Sequence, residues 1–128
     1  MKEVVDMGLP DSGQPFSWAI RANDMLYTAH GPVRRDGSID TGSIEQQARL
    51  TFDNLKAAVE AAGARMSDVA QVLIYLIDEH DMPPVDKVYR EYFERPFPNR
   101  SSVVVKALVV PGMKLEIVAY AALSRKPG

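Results

Sequence analysis

No cysteine occurs among the 128 residues. Disulfides, thiolate nucleophiles and cysteine-based metal sites are excluded together, and the cytoplasm is the expected location. No stretch reaches the ~18 uninterrupted apolar residues of a membrane-spanning helix. The opening "MKEVVDMGLPDSG" lacks an apolar signal core, because Asp6 and Gly8 interrupt it. Charge of neither sign dominates: 15 Lys and Arg against 17 Asp and Glu leave a net charge of −2. The basic residues are scattered, the densest pair being Arg34-Arg35 in an expected turn, so the basic stripe of a nucleic-acid surface is missing. A Walker loop, a dinucleotide glycine pattern and a fixed-period repeat are also missing. His30 and His80 without a carboxylate cluster do not make a metal site. No metal is expected.

What is there suits one globular domain. With 46% hydrophobic and 25% charged residues, the chain lies in the ordinary soluble range. Residues 1–13 read as a short extended arm, and 14–128 as a single domain. From Phe16 the pattern alternates, with Phe16, Trp18 and Ile20 on one face, which predicts a half-buried strand. Asn23-Asp24 marks a turn, and "MLYTAHG" (25–31) is its hairpin partner. Asp36-Gly37 closes another turn.

The period then changes. Ser43 and Gln46 have capping-box spacing, and Ile44, Ala48, Phe52, Leu55, Val59 and Ala62 recur every three or four residues. Gly63 supplies a left-handed stop. The spacing predicts a helix over 43–62. "DVAQVLIYLI" (68–77) is a buried strand. Asp81 is the expected cap of a second helix that tolerates Pro83 and Pro84 in its first turn and turns Val85, Val88, Tyr89, Tyr92 and Phe93 inwards. Pro96 and Pro98 end it before two terminal strands. Met25, Met66, Met82 and Met113 read as gap fillers. Trp18 belongs to the core or an interface, and His80 to an exposed loop.

The order β-β-α-β-α-β-β, with single-striped helices beside a mostly antiparallel sheet, predicts a two-layer α+β sandwich with both helices on one face. The strands at 68–77 and 101–108 are aliphatic on both sides, including Val103, Val104 and Val105. Apolar residues on both faces require that the second face be covered too. No residues remain to build that layer, so other copies of the chain are the expected cover.

The terminal segment "PNRSSVVVKALVVPGMKLEIVAYA" (98–121) places Arg100 at the entrance of one strand and Glu116 inside the next. Arg100 offers a rigid fork of donors matched to a carboxylate. Glu116, between Leu115 and Ile117, can exchange a proton with a pKa raised by desolvation. On pattern alone the favoured reading is that both, with Lys114, are solvated surface charges, like most charged residues. A hairpin turning at Pro111-Gly112 would set Glu116 opposite a residue near Ala107. Arg100 would then lie about 23 Å away at ~3.3 Å per residue, so a shared site would need two chains.

"FPNRSSVVVKALVVPGMKLEIVAYAAL" resembles the signature of the Rid family, the reactive intermediate deaminases, also called the YjgF family. "QPFSWAIRANDMLYTAHGPV" is similar to the family's opening hairpin of the "GPYSQAVRVGNLLFVSGQIP" type. "QQARLTFDNLKAAVEAAGARMSDVAQVLIYL" and "VYREYFERPFPNRSS" resemble its helices and central strand, so the likeness covers residues 14–123. It implies a chorismate-mutase-like fold and a homotrimer with clefts between subunits. In those clefts 2-imino or 2-enamino acids are hydrolysed, without cofactor, to 2-oxo acids and ammonia.

Carried across by the resemblance, Arg100 holds the substrate carboxylate and Glu116 positions or activates water. Ser102, Thr28 and Phe16 stand at ligand-contacting positions. The sequence departs from the pattern in three places. Phe16 lacks the phenolic hydroxyl of the usual tyrosine, Ala29-His30 replaces a Gly-Gln pair, and "ALVVPG" carries an added residue. His30 is expected at the cleft wall or an interface, with proton shuttling as the alternative. A non-catalytic trimeric binder of small carboxylates is the rival function, a pathway-specific enamine deaminase a variant, and a ribonuclease the third reading.

Overall fold

The computed structural model describes residues 1–124; the last four positions of the expected 14–128 domain lie outside them. Eight elements set the frame: β1 (Lys2–Val4), β2 (Ala19–Ala22), β3 (Met25–His30), α1 (Ile44–Ala61), β4 (Val69–Leu76), α2 (Met82–Tyr92), β5 (Asn99–Val104) and β6 (Leu115–Ala122). The strands form one six-stranded sheet in the order β1-β2-β3-β6-β4-β5, with both helices packed on one face. All neighbours are antiparallel except β4 and β5. The predicted two-layer α+β sandwich is the observed architecture, with β1 as an added edge strand inside residues 1–13.

The first helix forms as its sequence dictates. The Ser43 hydroxyl accepts from the Gln46 amide at 3.2 Å, and the Gln46 side chain accepts from the Ser43 amide at 3.0 Å. Those two bonds satisfy donors that a helix start leaves orphaned. Gly63, at φ +82°, carries the chain away beyond the last turn. Phe52, Leu55, Ala58 and Val59 are fully buried against the sheet. Gln47 is fully buried as well. It donates to the carbonyls of Gly42 and Gly112 at 3.2 and 3.0 Å and accepts from the Lys114 amide at 2.8 Å. One amide side chain thereby ties the 105–114 loop to the start of α1.

The second helix begins differently from expectation. Asp81 makes no capping bond and already has helical backbone angles, because a 3₁₀ turn over Glu79–Asp81 runs straight into α2. Asp78 does the capping one turn earlier, accepting from the His80 amide at 2.9 Å. Val85, Val88, Tyr89 and Phe93 are buried as predicted, around an aromatic cluster in which Tyr89 and Phe93 lie 4.5 Å apart. His80 is exposed beside Asp78, also as predicted.

Two pairing expectations are corrected. The strand expected from Phe16 is β2 and starts at Ala19, and Ala19, not Ile20, faces the core. Phe16 and Trp18 precede the strand, and Ile20 pairs with Tyr27 on the uncovered face. Ala19 is fully buried opposite Thr28, so the smaller residue of the alternating pair is the one enclosed.

The larger correction concerns the C-terminal strands, which do not form a hairpin. β5 pairs in parallel with β4, Val72 opposite Arg100, and β6 pairs antiparallel with the other edge of β4, Tyr75 opposite Glu116. Parallel neighbours require a crossover, and α2 supplies it. Residues 105–114 then carry the chain past the end of β4, so Val104 and Leu115 both lie beside Leu76.

β3 ends in His30, whose ring is only 1% exposed and has no hydrogen-bond partner on either nitrogen among the described residues. It stacks on Trp18, centroids 6.4 Å apart and rings 14° from parallel. Burial without a partner penalises the charged form and pushes its pKa from 6.5 down to about 4. Between those values the unfolded chain holds a proton that the folded chain does not. Stability is therefore full above about pH 6.5 and falls as the pH is lowered towards 4. Urea unfolding should accordingly lose about 2 kcal/mol between pH 7 and pH 5 through this group, and His30→Gln should flatten the pH dependence by that amount. An identical slope in both proteins would show that His30 does not titrate there.

Candidate functional site

The β4 register decides where the candidate residues lie. On β6, Leu115 and Ile117 are fully buried under the helices, so Glu116 between them emerges on the opposite, uncovered face. Its partner Tyr75 shares that face. Arg100 pairs with Val72, which is fully buried in the core, so its side chain points to the helix side. Two strand spacings and three residues of offset put the two Cα atoms roughly 14 Å apart, nearer than the hairpin reading implied. Within one chain, however, they occupy opposite faces of the sheet.

Arg100 is held firmly. Its guanidinium lies 4.7 Å from the centroid of the Tyr89 ring, and Nη1 donates to Asp86 Oδ1 at 2.7 Å. Asp86 in turn approaches Arg90 Nε at 3.6 Å, one helical turn on. The Arg100 side chain keeps about 30% exposure, enough for its remaining donors to meet a ligand. These residues, with Phe97 and Pro98, line an open cavity of about 180 Å³ between α2 and the start of β5. Burial raises the Tyr89 phenol to about 12, so the ring acts as a neutral platform at ordinary pH.

Glu116 has a different environment. Its carboxyl is partly desolvated, and this alone holds its pKa above the usual carboxylate value. Its face is apolar for a free surface: Tyr27 is 44% exposed and stacks edge-on with Tyr120 at 5.5 Å, and Val103 is 45% exposed. Leu73, Tyr75 and Val118 lie partly exposed on the same side.

The other expected contacts divide between the two ends of the sheet. Ser102 is exposed on β5, two residues beyond Arg100. Thr28 is buried on β3 and donates to the Ala119 carbonyl at 3.3 Å, and His30 is enclosed in the core. The side chains of Thr28 and His30 therefore reach no surface of the single chain. Phe16 is exposed and packs edge-on against Trp18 at 4.8 Å. Arg100 and Ser102 thus share the helix side of β5, Glu116 emerges on the opposite face of the sheet, and Phe16 lies exposed ahead of β2.

Sequence reasoning missed Asp86 and Tyr89 as neighbours of Arg100. Asp86 and Arg90 have visible i,i+4 spacing on α2, but nothing local links either to a residue on β5. Among the described residues, no helix is long and apolar enough to cross a membrane, and no group of three or more His, Asp or Glu could hold a metal ion.

Comparison with known proteins identifies the family. The model of the family described as Endoribonuclease L-PSP matches residues 8–123. A 2-iminobutanoate/2-iminopropanoate deaminase of Dermatophagoides farinae is 40% identical over 84% of this chain and 86% of its own. A RutC family protein of Pyrococcus horikoshii is 38% identical over 94% of this chain and 98% of its own. The crystal structure of E. coli TdcF with bound serine superposes with a TM-score of 0.85 at 30% identity, covering 95% of this chain and 99% of that one. Sequence and fold agree over almost the whole length, and the chain belongs to the Rid family, the family described as Endoribonuclease L-PSP.

Proposed function

We propose that this protein is a cofactor-independent hydrolytic deaminase that converts reactive 2-imino and 2-enamino acids into 2-oxo acids and ammonia. The observation that carries the proposal is the Arg100 guanidinium, fixed over Tyr89 at the rim of a cavity with part of its fork free. Such a fork takes a carboxylate in a bidentate grip. The deaminase name of a relative at 40% identity and the serine in the TdcF structure support a small ligand that carries a carboxylate.

The arrangement on the sheet supports a site shared between copies in a homotrimer. Arg100 and Ser102 of one copy would face Glu116, Phe16 and the β3 end of the next. Packing the Tyr27, Tyr75, Val103 and Tyr120 face against a neighbour would bury apolar surface at about 25 cal/mol per Å². It would also place the Glu116 carboxyl in a drier cleft. Light scattering should then give three times the 14.2 kDa chain mass at micromolar concentration, and a clean monomer would overturn this assembly.

Arg100 would orient the electrophilic imine carbon through the carboxylate. Glu116 would accept a proton as water adds to that carbon, and the same group would return a proton to the departing ammonia. The reaction needs no thiol or amine nucleophile, which agrees with a chain that has no cysteine. The same composition suits a cytoplasmic setting. A ribonuclease role finds less support, because net charge is −2 and the Arg90–Asp86–Arg100 cluster lies beside a small cavity instead of a long basic groove.

Ammonia release from freshly generated 2-aminoacrylate, measured above the uncatalysed rate, tests the function. No acceleration with this or larger imino acids would overturn it. Arg100→Lys keeps charge but loses the planar fork and should weaken 2-oxo acid binding by about 1.5–3 kcal/mol. Glu116→Gln should leave assembly and carboxylate binding nearly unchanged while turnover drops roughly 10²–10⁴-fold. In the unmodified protein, turnover should fall as the pH is lowered through the raised Glu116 pKa, because the base must be unprotonated. Full activity in Glu116→Gln would return that residue to the status of a solvated charge.

A further inference from the structure

Arg100 is paired before any ligand arrives. Asp86 takes one edge of its guanidinium at 2.7 Å, and the Tyr89 ring fixes the plane. The Asp86 carboxylate itself lines the same cavity as Arg100. It keeps about 34% side-chain exposure and has its second oxygen only loosely engaged, at 3.6 Å, by Arg90, which is itself 65% exposed. A ligand carboxylate on the free edge of Arg100 would therefore sit within a few ångströms of a fixed negative charge.

That charge has opposite effects on two kinds of ligand. For a plain carboxylate, Asp86 already neutralises Arg100 and repels the newcomer. The exposed Arg90 offsets this only weakly, because solvent screens it. For a molecule with a positive nitrogen on the carbon next to its carboxylate, the repulsion becomes an attraction. The carboxylate meets Arg100 and the N–H group meets Asp86. Protonated 2-imino acids and 2-amino acids have this pattern, whereas the 2-oxo acids formed by hydrolysis do not.

We propose that Asp86 is a specificity-determining residue: paired with Arg100 in the cavity between α2 and β5, it selects ligands bearing a cationic nitrogen beside the carboxylate and disfavours the deaminated product. The inference rests on the reading of Arg100 as the carboxylate anchor. It adds product release to the role of this pair, since loss of the nitrogen turns a favourable contact into a repulsive one.

The test uses 2-aminobutanoate and butanoate, which differ only in the charged nitrogen. Calorimetric titration of the full-length protein should show tighter binding of 2-aminobutanoate. Asp86→Asn keeps an acceptor oxygen for Arg100 but removes the charge. It should shift the affinity ratio towards butanoate by roughly fivefold, the scale of one partly exposed charge pair. Asp86→Glu should retain the preference. An unchanged ratio in Asp86→Asn, or parallel weakening of both ligands, would overturn the inference and leave Asp86 as a brace for Arg100. Arg100→Lys, titrated alongside, separates the two levels. If it weakens both ligands while Asp86→Asn leaves the ratio alone, only this inference fails. If it weakens neither, the anchor role of Arg100 fails and this inference fails with it.

Discussion

The structure depends on β4 being hydrogen-bonded along both edges. A buried strand cannot leave a row of amides and carbonyls unpaired, and Val72, Ile74 and Leu76 are buried in the middle of the core. β5 satisfies one edge in parallel and β6 the other in antiparallel sense. That requirement separates two strands that are close in sequence and puts Arg100 and Glu116 on either side of a common neighbour. It also fixes their faces, because each residue shares the orientation of the β4 residue opposite it. Val72 directs Arg100 towards the helices, and Tyr75 directs Glu116 away from them.

The one-sided placement of the helices follows from the same frame. The apolar stripes of α1 and α2 meet the sheet through Phe52, Leu55, Val85 and Tyr89. On the other face Tyr27, Tyr120, Tyr75 and Val103 remain for solvent or for another chain. Glu116 stands among them, and the surrounding apolar atoms withhold part of the water that would stabilise its charge. A carboxyl that is easier to protonate than usual is thus a product of sheet geometry and owes nothing to a nearby acid.

Polar groups in the core show how fully such a frame must be satisfied. Gln47 meets the Gly42 and Gly112 carbonyls and the Lys114 amide, while Asn54 donates to the carbonyls of Gly31 and Val33 at 3.1 and 2.8 Å. Both tie loops next to β3 and β6 to α1, and both are buried with each amide N–H₂ donating two hydrogen bonds. His30 is a counterexample, as are the Thr51 and Tyr89 hydroxyls: it is enclosed beside Trp18 with neither nitrogen bonded among the described residues. Removing a partnerless imidazole from water costs less when it is neutral, which accounts for the direction of its pKa.

The sequence by itself determined what depends on neighbours a few residues apart. The Ser43–Gln46 box, the apolar stripe through Phe52 and Leu55, the stop at Gly63 and the burial of Val85, Val88 and Tyr89 follow from helical spacing and cap chemistry. The residues that carry the family signature, Arg100 and Glu116 among them, were legible in the same way, as chemical types in a fixed order. Pairing partners were decided only by the tertiary structure. Pro111-Gly112 between two β-prone runs looks like a hairpin turn, and no local feature says that β4 already lies between those runs. The one-residue choice that encloses Ala19 in the core and leaves Ile20 half-buried beside Tyr27 was likewise set by the pairing of β2 with β3. Asp86 and Arg100 meet because the α2 crossover brings β5 back beside β4, and a contact between a helix and a strand across that turn has no periodicity to announce it. Side-chain spacing is written along the chain, whereas strand order is settled by which edges remain to be paired once the core has closed.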